Sequence, residues 1–116
     1  MRFMMLMIPQ IEDTPEAWMP SADAVAEMMN YNRSLSDAGV LLALDGLHPS
    51  EKGARITFSG GDVSVTDGPF TEAKELIGGW CLMECRDRDE AVEWSKRFLG
   101  VLGDGEVRVR PVFGPE

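Results

Sequence analysis

The chain has 116 residues, the length of a single domain with a single core. Its hydrophobic and charged fractions, 44% and 27%, are ordinary for a globular protein, which excludes a fibrous or disordered chain. The net charge of −9 excludes nonspecific binding to nucleic acid or anionic lipid, which rewards clustered Lys and Arg, but leaves room for a local basic pocket.

The opening "MRFMMLMIPQ" is too short for a signal peptide and lacks a small-residue cleavage site. No apolar run reaches the about 20 residues that span a bilayer. Residues 2–8 instead read as a central strand, apolar on both faces. The stretch "PQIEDTPEAWMP" reads as a loop, with three prolines and several acids. Ser21 is placed to cap a helix over 21–38, in which Val25, Met28, Met29, Leu35 and Ala38 recur at helical spacing; Gly39 fits the position after its end. Val40 to Leu44 is a second strand, again apolar on both faces, and "DGLHPSEKG" is a loop.

A hairpin comes next. Ile56 and Phe58 alternate with polar neighbours, Gly60-Gly61 make a two-residue turn, and Val63 and Val65 alternate on the return. Then comes "TDGPFTEAKELIGGW", a mixture of turn formers, charges and aromatics, in which Thr71 is placed to cap a short helix. Residues 79–85 form another doubly apolar strand. Asp87 and Glu90 have capping-box spacing before a helix over 88–99, which "GVLGDG" ends. Residues 105–113 close the chain as a strand, and Pro111 puts that strand at an edge or marks its end.

The order is β-α-β, hairpin, β-α-β. With the hairpin set aside, it is the α+β, βαββαβ pattern of a ferredoxin-like sandwich with an inserted hairpin. Two helices cover one sheet face only. The other face needs a cover, and a second copy is the economical one, so the pattern predicts a homodimer packed sheet to sheet. The cysteines, Cys81 and Cys85, would stand ~13 Å apart on one strand face, too far for a disulfide. Two reduced thiols without a leader point to the cytoplasm, and their spacing matches no metal site.

The stretch "DGPFTEAKELIGGW" closely resembles the signature of the DGPF branch of the YCII-related proteins. "MRFMMLMI", "AGVLLALDGLHP" and "EVRVRPVF" resemble the flanking segments of the same family, so the likeness spans nearly the whole chain. The resemblance implies a ferredoxin-like dimeric α/β barrel and little about activity. Enzyme-like relatives are thought to use a His-Asp pair with the histidine on the first helix; here that helix contains none, so the pair does not carry over. Family association also implies an alternative of another class: a regulatory protein acting with an extracytoplasmic-function sigma factor.

Five candidates for chemistry remain beside their plainer readings. Asp67 suits a carboxylate base, yet Asp67-Gly68-Pro69 is also turn chemistry. Glu72 and Lys74 could tune that base or form a solvated face. His48 is the only histidine, three residues from Asp45, and suits proton transfer near neutrality; a loop histidine is more often simply exposed. Arg55, Arg108 and Arg110 could grip a carboxylate or phosphate, or pair with Glu106 and other acids. Trp18, Tyr31, Phe70, Trp80 and Trp94 line either a pocket or the core. The expectation is a homodimer binding a small organic molecule, anions included. Any catalysis would be cofactor-independent acid–base work by Asp67 and His48, with Arg55 or Arg108 holding the ligand and Glu72 and Lys74 beside it.

Overall fold

The computed structural model describes residues 1–70 and 76–114. Strand β1 spans Arg2–Pro9, the short helix α1 Pro15–Trp18, α2 Ala22–Asp37, β2 Leu41–Gly46, β3 Ala54–Ser59, β4 Asp62–Asp67, β5 Gly79–Glu84, α3 Arg88–Leu102 and β6 Gly105–Pro111. A four-stranded antiparallel sheet has the order β2-β5-β1-β6, and β3 and β4 form a separate two-stranded sheet. This is the ferredoxin-like α+β arrangement with an inserted hairpin. The two strands placed at the centre by their doubly apolar pattern, β1 and β5, are the central pair.

One sheet face makes the core. Phe3 and Met5 of β1 and Cys81 and Met83 of β5 pack against Tyr31 and Leu35 of α2 and Trp94 and Phe98 of α3. The Tyr31 ring packs edge-to-face with Phe98 and Trp94, at centroid distances of 5.4 and 6.2 Å. On the opposite face Met4 lies beside Leu82 and Arg110, and Leu6 beside Trp80 and Arg108. The four apolar residues of this open face on β1 and β5 are half-buried, and Ala43 of β2, opposite Leu82, is exposed.

Local chemistry sets the helix ends. The Ser21 hydroxyl accepts from the Ala24 amide at 3.1 Å, and Gly39 takes a φ of +72° after the last turn of α2. The Asp87 carboxylate accepts from the Glu90 amide at 2.9 Å, while Glu90 reaches back to the Arg86 amide at 2.8 Å.

Three sequence readings need correction. The segment before α2 is not all loop: Thr14 caps one turn of helix, with Pro15 at its first position, where the missing N–H costs nothing. Helix α3 does not stop at Leu99 but runs through Gly100 to Leu102, because Val101 and Leu102 pack on the core and outweigh a mid-helix glycine that costs about 1 kcal/mol; Gly103, with φ +84°, ends it. Strand β2 is an edge, not a doubly buried strand. A register irregularity between Leu41 and Ala43 throws Leu42 outward, leaving it 50% exposed.

The hairpin turn is as read: Gly60 and Gly61 both have positive φ, +59° and +86°, which suits the strand twist and strains any side chain. No described helix is long and apolar enough to cross a membrane.

Candidate functional site

A cavity of about 220 Å³ lies between the sheet and α2, where β2 ends and β5 begins. Met7, Leu44 and Cys81 line it from the core face of the sheet, and Met28 and Tyr31 from α2. Trp18 of α1 closes one side; its indole N–H donates to the Leu47 carbonyl at 2.8 Å and ties α1 to the segment leaving β2. Gly78 and Gly79 form part of the wall. A Cβ on Gly78 would stand 3.0 Å from Pro9, and one on Gly79 would stand 3.0 Å from the Asp45 carbonyl oxygen and 3.2 Å from the Met7 sulfur. The Gly78 amide donates to the Met7 carbonyl at 2.7 Å, and its carbonyl accepts from Leu47 at 2.9 Å. The glycine pair thus lets three segments close on one another, and the cavity wall is the result.

Polar residues are few in this lining: Asn32, Asp45 and the Tyr31 hydroxyl stand among apolar side chains, with no Arg or Lys among the described residues. The Tyr31 hydroxyl is committed, donating to the Trp94 carbonyl at 2.8 Å. Burial, then the nearby Cys81 thiol, pushes its pKa well above the ordinary phenol range. Burial, then Cys85, likewise pushes the Cys81 thiol up to about 11. Both groups are neutral near pH 7. The cavity can enclose an apolar body and hydrogen-bond its edge, but neither group is poised as a base or nucleophile.

A second constellation holds the Asp-Gly-Pro-Phe segment. The Asp13 carboxylate accepts from the Ser50 amide at 2.8 Å and is hydrogen-bonded to the Ser50 hydroxyl, whose oxygen accepts from the Phe70 amide at 2.8 Å. The Gly68 amide donates to the Gly53 carbonyl at 3.0 Å. Gly68 lies so close to the Ser50 backbone that a Cβ would fall 1.7 Å from its carbonyl oxygen. Asp13 and Ser50 carried no sequence signal, being an acid in an acidic loop and a serine after a proline. The network ties the β1–α2 connection, the 3₁₀ turn Ser50–Lys52 and the end of the hairpin together.

The segments that bear His48, Arg55 and Asp67 are therefore brought together, but their side chains are not. His48 and Asp67 are exposed, and among the described residues no ion pair joins His48 to Asp45 or Asp67. The Arg55 guanidinium lies 5.9 Å from the centre of the Phe70 ring. Arg108 is apart from these, on β6, where it pairs with Glu106 at 2.9 Å. None of the four lines the cavity. Glu72, Lys74 and the cap expected of Thr71 lie outside the described residues. Of the aromatics, Trp18 and Tyr31 line the cavity, and the start of β5 brings Trp80 to its edge; among the described residues no group of three or more His, Cys, Asp or Glu is placed to hold a metal ion.

Comparison with known proteins gives three likenesses. A family model of the YCII-related domain matches residues 1–114. An uncharacterized protein of Rhizobium meliloti (strain 1021) is 30% identical over 104 residues, 87% of this chain and 84% of that one. Among solved structures, 5-chloro-2-hydroxyhydroquinone dehydrochlorinase from Burkholderia phenoliruptrix AC1100, in complex with 2,5-dihydroxybenzoquinone, aligns over 98% of this chain and 96% of its own. That alignment has 18% identity and a TM-score of 0.47.

Proposed function

The chain belongs to the YCII-related domain family, and from there we propose that it binds a small single-ring organic molecule in the cavity between the sheet and α2. In this reading it does so as a homodimer joined through its open sheet faces, and the Asp67–Phe70 stretch with Gly78-Gly79 supports a place in the DGPF branch. The carrying observation is the lining: about 220 Å³ with a mainly apolar wall, Trp18, Tyr31, Phe98, Met7 and Met28 among it, and a few polar groups. An apolar cavity of about 150 Å³ suffices for benzene, so this volume suits one substituted ring. The lining offers Asp45 and no Arg or Lys among the described residues, which favours a neutral or hydroxylated ring over an anion.

Acid–base catalysis by Asp67 and His48 would need these exposed side chains to meet over a ligand held by Arg55 or Arg108. Their position outside the cavity leaves binding as the better supported reading. A thermal-shift series with phenol, catechol, cyclohexanol and benzoate tests it, using the wild type and Leu44→Trp, which fills the cavity. Stabilisation by the neutral rings that Leu44→Trp abolishes is expected. Stabilisation by benzoate alone, or an undiminished shift in the filled variant, would move the site elsewhere.

A further inference from the structure

Every residue of β3 and β4 is exposed. The hairpin is nevertheless not polar on both faces. Ile56 stands opposite Val65 and Phe58 opposite Val63, so four apolar side chains share one face. They are 65%, 64%, 73% and 64% exposed respectively. The other face carries Arg55, Thr57, Ser64 and Thr66. This is the alternation of a hairpin that buries one face, and the described residues leave that face uncovered. A two-stranded hairpin standing alone is marginal in water. The clasp of Asp13, Ser50 and Phe70, and the bond from Gly68 to Gly53, fix its base to the domain while its body projects.

We propose that the β3–β4 hairpin is an intersubunit arm whose apolar face of Ile56, Val65, Phe58 and Val63 packs on a second copy of this chain. Area favours that occupant. Each exposed side chain offers roughly 100 Å², so one arm buries about 400 Å² of its own surface and as much of what it touches. A two-fold pair of arms then removes roughly 1,600 Å², the size of a standard stable interface. The open sheet faces offer less apolar area per residue, because Met4, Leu6, Trp80 and Leu82 are already half-buried. A dimer through the sheets gains from a further apolar surface; among the described residues Met19 and Phe113 are singly more exposed, but the arm gathers four exposed apolar side chains on one face. The inference rests on the homodimer proposed above and assigns it a second contact.

Sedimentation velocity on the full chain at micromolar concentration is the test. The wild type is compared with Phe58→Asp/Val63→Lys, with the milder Val63→Thr/Val65→Thr, and with Thr57→Lys/Ser64→Lys on the polar face. All of these sites are exposed, so far-UV circular dichroism should be unchanged throughout. A dimeric wild type, at least tenfold weaker dimerisation in the charged variant, a smaller weakening in the threonine pair and none in the polar-face control are expected. A wild type and charged variant that dimerise equally would overturn the arm and leave the dimer standing. A monomeric wild type would overturn both and leave the arm's face for a different protein.

Discussion

Replacing Gly68 by alanine tests the reading of the Asp-Gly-Pro-Phe segment as a packed junction. The added Cβ would sit 1.7 Å from the Ser50 carbonyl oxygen and 2.6 Å from its carbon. An ordinary contact is about twice the first distance, so the two backbones must separate by well over 1 Å. Both partners are main chain, and no side-chain rotation relieves the clash. Separation breaks the Gly68–Gly53 bond of 3.0 Å and pulls the Phe70 amide from the Ser50 hydroxyl, now 2.8 Å away. Each lost bond costs about 0.5–1.5 kcal/mol, more if a group is left without water, so Gly68→Ala is expected to lose about 2–3 kcal/mol. Urea unfolding followed by tryptophan fluorescence would show this as a midpoint roughly 1–2 M lower at unchanged slope. Gly100→Ala is the control: it sits inside α3, and beyond that helix's own backbone a Cβ there would meet nothing within 4 Å, so it should gain up to about 1 kcal/mol. A Gly68→Ala midpoint within error of wild type would refute the close approach, and with it the structural account of this glycine.

Two further outcomes follow from the buried core. Tyr31→Phe keeps the ring contacts but leaves the Trp94 carbonyl without its 2.8 Å donor; a loss of about 1 kcal/mol in urea unfolding is expected, and no loss would mean that water already serves that carbonyl. Burial, followed by Cys85 for Cys81 and by Glu90 for Cys85, raises both thiols from 9.0 to about 11. Between these values the unfolded chain has lost protons that the native chain keeps, so stability is level below pH 9 and falls as pH rises towards 11. Tyr31, also raised, adds a decline of the same sign at the alkaline end. Unfolding free energies measured from pH 7 to 11 should show this slope, and Cys81→Ala/Cys85→Ala should flatten it; a flat wild-type profile would contradict the buried thiols.

The fold was legible because its signals are local and periodic. The doubly apolar runs of β1 and β5, the caps Ser21 and Asp87, and the Gly60-Gly61 turn each state their conformation within a few residues. Where the reading slipped, a non-local term decided. Gly100 looked like a stop until Val101 and Leu102 met the core, and β2 looked buried on both faces because composition carries no sign of an edge. The site was less legible for the same reason. Its wall joins Trp18, Met28, Leu44 and Cys81 from separate elements, and no spacing along the chain brings such residues together. The residues that drew attention as chemistry, His48, Arg55, Asp67 and Arg108, are conspicuous as types but stand on the exposed side of the structure.

The segment "TDGPFTEAKELIGGW" is the strongest mark in the sequence, yet its described residues act mainly as joints. Gly68 admits the Ser50 backbone, Phe70 is held through its amide, and Gly78 and Gly79 admit Pro9, Asp45 and Met7. A motif built of such contacts restricts how three segments cross and says little about what is bound. Substitutions in it should therefore be read first as changes in stability. In the binding reading proposed above, specificity would belong instead to positions such as Met28, Asn32 and Leu44, which line the cavity and are not among the glycine contacts. On that reading one frame could serve different ligands: the joints hold the cavity open at the sheet edge, while the side chains facing it are free to change.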